Sequence, residues 1–247
     1  MIVIIMLAFV MEAVDSSVGM MYGTILSPLL IGLGFAPQDV VPALVLSQAM
    51  GGLVASFGHQ GYGNASFKWN SKDLKVSFII FSLGILAVIA GVLLGVKVNK
   101  LFLSVYISVL MLTMGVITLI GFKLKFSWGG ILAIGVISSF NKALSGGGFG
   151  PIVTSGQVIT GRSGRRSVGA TTMSEVSICF ASFVAWVVIS KRLPDLEIMV
   201  ALCIGAVLGG VLGPFLLSKI PNSKWFVRVL GVFAIASGVF ALTEILW

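Results

Sequence analysis

Long runs of apolar residues, separated by short polar or basic stretches, dominate the hydropathy pattern of this chain. Six runs are long enough to cross a bilayer, since a membrane-spanning helix needs about 20 apolar residues. The six predicted spans are Val40–Gly58, Leu74–Val96, Leu101–Gly121, Ser167–Ile189, Ile198–Leu217 and Phe226–Leu246. The pattern therefore predicts an all-α polytopic membrane protein that is surrounded by a lipid bilayer.

Two further apolar segments are interrupted by small and charged residues. Ile2–Gly34 is broken at Glu12–Gly19, and Ser127–Gly161 is broken at Asn141–Pro151. The second arm of each segment, at 1.5 Å per residue, reaches only about 17 Å, roughly half of the hydrocarbon core. Non-helical backbone at that depth is tolerated only inside protein or beside a polar cavity. We therefore expect two broken helices, each a re-entrant hairpin that enters and leaves the membrane on one face.

The two interrupted segments match each other when the sequence is shifted by 127 residues. Pairs in this register include Tyr22–Phe149, Gly34–Gly161, Ser47–Ser174, Gln48–Glu175 and Asp15–Lys142. Interrupted helices at matching positions of two repeats are typical of secondary transporters. We predict an N-terminal repeat over residues 1–122, with its hairpin at 2–34, and a C-terminal repeat over residues 123–247, with its hairpin at 127–161.

The distribution of lysine and arginine among the loops discriminates between two topologies. If each interrupted segment crosses the membrane once, the two faces carry seven and eight basic residues. If each is a hairpin, the faces carry eleven and four, which is the asymmetry expected between cytoplasmic and external loops. The hairpin topology is therefore preferred. Each half then contains three full spans, and the two repeats are inverted relative to each other.

Composition narrows the class of protein further. Of the residues, 57% are hydrophobic and only 10% are charged, and the mean hydropathy is +1.12. Too few polar residues remain to cover a soluble surface, which excludes a soluble enzyme, a disordered chain and a nucleic-acid-binding domain. The net charge of +8 is then explained by basic loops, with no nucleic-acid partner. Cys179 and Cys203 lie in apolar runs, where we expect packing and no disulfide.

The predicted hairpin tips carry the candidate binding groups. Helix N-termini that follow glycine-rich turns bind anions through free backbone N–H groups and the helix dipole. We expect the backbone amides of residues 16–19 and 145–148 to face the ligand. The candidate substrate-binding residues are Ser16, Ser17, Gly19, Ser47, Gln48, Asn141, Lys142, Ser145, Gly146, Gly147, Gly148, Thr171 and Ser174.

Lys142 is the basic residue that the topology places inside the membrane. A buried cation needs a partner or a function. Three interpretations are open: contact with an anionic substrate, a structural ion pair with Glu175, Asp15 or Glu12, or a solvated position at a misplaced boundary. Those carboxyl groups are candidates for coupling or gating, because such groups relay protons, neutralise a cation or stay protonated. They would also suit a cation site, which weakens the anion interpretation without reversing it.

Other distinctive residues indicate no metal site and no cofactor. His59 has no histidine or cysteine neighbour in sequence, and we expect it in a loop at the membrane interface. Arg162, Arg165 and Arg166 are expected to anchor the topology, with substrate entry as a lesser alternative. Close helix packing is expected at the glycine pairs Gly91/Gly95 and Gly209/Gly213.

The second interruption carries a family resemblance. The run Ser145–Pro151, followed by Ser167–Thr171 and Glu175, resembles the sulfite exporter TauE/SafE family, also called the toluene sulfonate uptake permease family. The looser N-terminal counterpart comprises Gly19–Gly23, Pro42, Ala43 and Ser47. The resemblance covers essentially the whole chain. It implies transport of sulfur-containing anions such as sulfite, sulfonates or sulfoacetate.

Together these features predict a multi-pass transporter of the cell membrane. A small sulfur-containing anion would bind near the midplane, between the hairpin tips, and cross by alternating access. The alternatives are an anion channel with the same site and a transporter of a different small anion. An intramembrane hydrolase is disfavoured because no nucleophile has a base beside it, so no enzyme is expected. A homodimer is compatible with the sequence, which does not fix the oligomeric state.

Overall fold

The computed structural model describes residues 1–95 and 125–220 continuously. Between 105 and 120, and between 225 and 243, it describes individual helical positions. The predicted spans Leu101–Gly121 and Phe226–Leu246 therefore lie largely outside the described residues. Within the described residues the secondary structure is entirely helical, as the hydropathy pattern predicts.

Eight helices account for the two continuous parts of the chain. They are α1 Ile2–Val18, α2 Tyr22–Gly32, α3 Pro37–Gly61, α4 Lys72–Gly95, α5 Trp128–Ser145, α6 Phe149–Ile159, α7 Gly164–Ser190 and α8 Leu196–Lys219. Among the described residues, four helices (α3, α4, α7 and α8) are long and apolar enough to cross a membrane. These four correspond to four of the predicted spans, and their ends agree within a few residues.

The outer surface of this bundle is apolar. Phe57, Leu86 and Val188 point outwards and are 73%, 65% and 66% exposed. Charged and amide side chains such as Lys142 and Gln48 are buried instead. A soluble protein does not expose so many large apolar side chains in one belt. This arrangement suits a protein whose outer surface contacts lipid.

Glycines let two helix pairs approach closely. α1 packs along α8, and α5 packs along α4. A Cβ at Gly209 would lie 2.5 Å from the carbonyl oxygen of Phe9, and one at Gly91 would lie 2.6 Å from that of Phe140. Gly213 and Gly95 face backbone carbonyls in the same way. The predicted close packing at the two glycine pairs is confirmed.

Both predicted interruptions are present, but they are narrower than the sequence suggested. α1 ends at Gly19, with φ of 81°, and α5 ends at Gly146, with φ of 76°. This left-handed conformation is one that glycine adopts without strain and that commonly ends a helix. Non-helical backbone is confined to residues 19–21 and 146–148.

Glu12, Asp15, Ser16 and Ser17 are therefore helical, as are residues 141–145, and the wider break predicted for them is wrong. Polar residues here do not break the helix, because their side chains bond within it. The Ser17 hydroxyl donates to the carbonyl of Val14 at 2.9 Å. The chain stays helical up to the first glycine that adopts the left-handed conformation.

The two breaks contact each other reciprocally. A Cβ at Gly23 would overlap the carbonyl oxygen of Gly146, and a Cβ at Gly150 would overlap that of Gly19. The 127-residue shift relates Gly19 to Gly146 and Gly23 to Gly150. The Thr154 hydroxyl also donates to the carbonyl of Gly19 at 3.0 Å. The start of each short helix therefore sits against the end of the opposite long arm.

Charged loops group at the two ends of the bundle. At one end, Arg162 forms an ion pair with Asp73, and Arg166 lies 3.6 Å from the same carboxyl group. Burial lowers the pKa of the Arg162 guanidinium, and the Asp73 carboxylate opposes this shift. Arg192 pairs with Asp39 at the other end, because Arg192 lies two residues past Ser190, the last residue of the 27-residue helix α7.

Candidate functional site

Lys142 lies on α5, close to the helix break, and is almost completely buried. Its Nζ is 2.8 Å from Oε1 of Glu175 on α7 and also donates to Oε1 of Gln48 on α3. The interpretation that Lys142 is solvated is therefore wrong, and its ion pair with Glu175 is present. A buried ammonium requires such a partner, because removing an unpaired charge from water is strongly unfavourable.

Gln48 extends this contact into a network that joins four helices. Its Nε2 donates to Oδ2 of Asp15 at 3.3 Å. The other oxygen of Asp15 accepts the backbone N–H of Tyr22 at 2.9 Å, at the start of α2. We call Asp15, Gln48, Lys142 and Glu175 the charged network. It consists of two residue pairs, Asp15/Lys142 and Gln48/Glu175, that the 127-residue shift relates.

Glu12 is close to the charged network and poorly supported by hydrogen bonds. Its Oε1 accepts the Ser16 hydroxyl at 2.7 Å. Its Oε2 has no partner among the described residues, although Glu12 is only 1% exposed. Glu12 interacts electrostatically with Asp15, Glu175 and Lys142. Three buried carboxyl groups therefore lie in the same region as one ammonium, and one of them contacts it.

The predicted backbone donors bond to protein atoms in this structure. The N–H of Gly19 donates to the carbonyl of Asp15 at 2.5 Å, and that of Gly146 to the carbonyl of Lys142 at 2.8 Å. Gly147 N–H donates to the Ser145 hydroxyl at 3.2 Å. Gly148 N–H donates to the Thr24 hydroxyl at 3.2 Å. An anion could use these amides only after the helix breaks rearrange.

The predicted hydroxyl groups divide into two sets. Ser47 bonds to the Tyr22 hydroxyl at 2.7 Å, within the layer that holds the charged network. The Thr171 hydroxyl pairs with that of Thr154 and accepts from Gln157, each at 3.0 Å, so Thr171 is bonded to polar side chains of α6. Ser174 donates to a carbonyl of its own helix. The structure thus brings Ser47, and not Thr171, towards the charged network.

Asn141 retains unused hydrogen-bonding capacity in the interior. It is fully buried, and both Nδ2 and Oδ1 lack a partner among the residues that the structure describes. Ser155 Oγ and Gln157 Oε1, on α6, are also unpaired in that part of the chain. Buried polar groups in proteins are nearly always satisfied. Asn141 is therefore an exception among the buried polar side chains of this part of the chain.

Sequence reasoning did not identify Thr24, Ser27, Thr154 and Gln157 as part of this region. Ser27 donates to the carbonyl of Ser145 at 2.8 Å, while Thr154 donates to the carbonyl of Gly19. The 127-residue shift pairs Ser27 with Thr154. A hydroxyl at the same register position of both short arms was the signal that would have identified these two residues.

The prediction that His59 lies in a loop is wrong. α3 continues to Gly61, and His59 is completely buried within it. Its Nδ1 lies 3.2 Å from Nδ2 of Asn64, and Asn64 also donates to the carbonyl of Pro214 on α8. The turn after α3 folds back and covers the histidine. This packing is a tertiary contact that the local sequence does not encode.

No set of three His, Cys, Asp or Glu side chains among the described residues is arranged to hold a metal ion. The cysteines Cys179 and Cys203 are free thiols. Cys179 packs against Val45 and Ala49 in an apolar cluster, as expected from its apolar run.

An apolar belt, four spanning helices and a buried charged network at two helix breaks define a multi-pass membrane protein with a polar interior site. The family model "Sulfite exporter TauE/SafE" matches residues 4–241. The chain therefore belongs to this family of membrane transporters, as its resemblance predicted.

One curated relative is the "Probable membrane transporter protein YtnM" of Bacillus subtilis (strain 168). It is 24% identical over 196 residues, which cover 74% of this chain and 62% of the relative. The chain thus spans less than two thirds of the length of that relative. No solved structure matches the chain.

Proposed function

We propose that this protein is a secondary transporter that moves a small sulfur-containing anion across the membrane by alternating access. Sulfite, sulfonates and sulfoacetate are the substrates that the family resemblance implies. The main support is the charged network, in which a buried lysine lies at the junction of two helix breaks. A buried cation that belongs to a transporter is well suited to bind an anion.

The proposed site places the anion at Lys142, with Asn141 as a second direct contact. Asn141 Nδ2 is a buried donor without a partner among the described residues. Glu175, Asp15 and Glu12 serve as coupling or gating groups. The remaining proposed contacts are Ser16, Ser17, Gly19, Ser47, Gln48, Ser145, Gly146, Gly147, Gly148, Thr171 and Ser174, several of which become available only when the breaks rearrange.

The proposed architecture is a pair of inverted repeats, residues 1–122 and 123–247, each with one re-entrant hairpin. Two observations support it. The contacts Gly23–Gly146 and Gly150–Gly19 are related by the 127-residue shift. Asp73 and Arg162 also pair at one end of the bundle, whereas a single crossing of each interrupted segment would put them on opposite faces.

A channel with the same site is the main rival. The breaks are closed by protein–protein hydrogen bonds in this structure, which favours a carrier that occludes its ligand over an open pore. Uptake into proteoliposomes discriminates the two, because a carrier coupled to an ion gradient concentrates the anion and a channel does not. Equilibration without accumulation under every imposed ion gradient would favour the channel.

Binding to purified protein tests the role of Lys142. The probes are sulfite, thiosulfate, methanesulfonate and sulfate. Replacing Lys142 alone would leave Glu175 buried without its partner, so the informative protein is the double variant Lys142→Met/Glu175→Gln. Loss of a charged hydrogen bond is worth about 1.5–3 kcal/mol, or roughly 10- to 150-fold in Kd.

We expect the double variant to stay folded and to bind the best probe at least tenfold more weakly than the wild-type protein. The matched control is Lys191→Met, which removes an exposed lysine and should leave the Kd unchanged. Unchanged affinity in a folded double variant would reduce Lys142 to a structural ion-pair partner. Absence of binding by any probe to the wild-type protein would contradict the proposed substrate class.

A further inference from the structure

The charged network contains more carboxyl groups than cations. Lys142 is the ammonium of this region: it pairs with Glu175 at 2.8 Å and is linked to Asp15 through Gln48, while Glu12 bonds to Ser16, the neighbour of Asp15. The other titratable groups near the network, the Tyr22 hydroxyl, bonded to Ser47, and the Cys179 thiol, carry no positive charge in any protonation state. An anion that enters this site therefore meets no spare positive charge.

The three carboxyl groups differ in how they are supported. Asp15 accepts from Tyr22 N–H and from Gln48 Nε2, and neither donor depends on Lys142 directly. Glu12 accepts from the Ser16 hydroxyl alone. Glu175 accepts from Lys142 and from no other described residue, and its side chain is only 5% exposed. Glu175 is thus the carboxyl group whose one donor among the described residues is the lysine.

We propose that the anion displaces Glu175 from Lys142, and that Glu175 then takes up one proton, so that the protein carries its anion together with a proton. This inference rests on the proposed function and names its coupling ion. In the empty carrier, the Lys142–Glu175 ion pair is intact and Glu175 needs no proton. In the loaded carrier, the ammonium balances the anion, and the displaced carboxylate becomes a neutral carboxylic acid.

The charge balance of the transport cycle follows from Lys142 being the single cation of the charged network. One proton from water on the side of entry binds a Glu175 carboxylate oxygen, and it leaves on the other side when the anion departs. The returning Lys142–Glu175 pair prevents the empty carrier from moving a proton alone. A buried carboxylate without a partner is strongly unfavourable, which makes the uptake of the proton obligatory.

Calorimetric titration of purified protein counts the protons taken up on binding. The probes are thiosulfate and methanesulfonate, which bind no proton themselves near neutral pH. The buffers are Tris and imidazole, which differ in ionisation enthalpy, because the common sulfonate buffers could occupy the site. We expect about one proton per bound anion, and a Kd that rises roughly tenfold per pH unit on the alkaline side.

Glu175→Gln is the informative variant, because glutamine keeps the shape and cannot take a proton. We expect it to bind the anion at all pH values with no proton uptake. Glu175→Asp should restore the pH dependence. The matched control is Glu197→Gln, an exposed residue at the start of α8 that should behave as wild type. In proteoliposomes whose membrane potential is clamped at zero, a gradient of one pH unit should drive about tenfold accumulation of methanesulfonate or thiosulfate, whichever binds, in the wild-type protein and none in Glu175→Gln.

The outcomes separate the two proposals. Anion binding by the wild-type protein without proton uptake, or with a requirement for sodium instead, overturns the proton exchange and leaves the transporter proposal intact. Proton uptake that persists in Glu175→Gln overturns the assignment to Glu175. Failure of the wild-type protein to bind any probe contradicts the proposed function itself. If Glu175→Gln does not fold, the proton count of the wild-type protein still decides the exchange.

Discussion

At the scale of single residues, Gln48 explains how the charged network is held together. Its amide oxygen accepts from Lys142 while its amide nitrogen donates to Asp15. A carboxylate at this position could not donate, and a lysine could not accept. Glutamine therefore connects the cation to one carboxylate, while Glu175 contacts the cation directly. Positions 48 and 175, which the 127-residue shift relates, thus contact the same ammonium in different ways.

The thermal stability of variants should show how strongly the charged network depends on the ion pair between Lys142 and Glu175. Lys142→Met leaves the Glu175 carboxylate buried without its partner, and removing one member of a buried ion pair costs about 3–5 kcal/mol. We expect a large loss of thermal stability in detergent for the single variant. The double variant Lys142→Met/Glu175→Gln should recover most of that loss, and exposed Lys191→Met should change nothing. A double variant as unstable as the single variant would contradict the ion-pair interpretation.

The sequence identified Lys142 because a basic residue inside an apolar segment is conspicuous. The sequence alone does not show which carboxyl group pairs with Lys142, because Glu12, Asp15 and Glu175 are equivalent when only their positions along the chain are known. The choice depends on which helix faces align. His59 was misassigned for a related reason, since its burial results from contacts with Asn64 and α7 that form only in the folded chain.

At the scale of helices, the glycines at the two breaks define where the chain stops being helical and how closely the breaks approach. The sequence located both breaks but made them too wide, because serine and acidic residues near a glycine resemble a loop. Here those side chains bond to their own helix or to its neighbours. Only the left-handed glycines Gly19 and Gly146 end the long arms.

Two single glycine-to-alanine variants test whether the two helix breaks are in contact. Gly23→Ala places a Cβ against the carbonyl oxygen of Gly146, whereas Gly129→Ala has no atom within 4 Å of the new Cβ. Overpacking typically costs about 1–3 kcal/mol, while alanine in an open helical position adds up to about 1 kcal/mol of stability. We expect Gly23→Ala to lower thermal stability and anion binding, and Gly129→Ala to preserve both. Equal stability of the two variants would show that the breaks do not touch.

At the scale of the whole molecule, the ion pairs at the two ends of the bundle connect the two halves of the chain. Asp73 pairs with Arg162 at one end, and Asp39 pairs with Arg192 at the other. The sequence predicted this grouping of loops from charge counts alone, because the positive-inside bias acts on loops and does not require knowledge of packing. The charged loops from which orientation is predicted therefore also form ion pairs between the two halves at both ends.

Cysteine accessibility in intact cells tests the topology that follows from this grouping. In a variant with Cys179 and Cys203 replaced by serine, single cysteines are introduced at the exposed positions Lys68, Arg166 and Lys191. An impermeant maleimide should label the cysteine at 191 from outside. The cysteines at 68 and 166 should react only after permeabilisation, because eleven of the loop cations lie on their face in the hairpin topology.

α7 begins at Gly164 and ends at Ser190, so positions 166 and 191 must lie on opposite sides if α7 spans the bilayer. Labelling of positions 68 and 166 from opposite sides would contradict the inverted repeats, and with them the alternating use of two symmetry-related breaks.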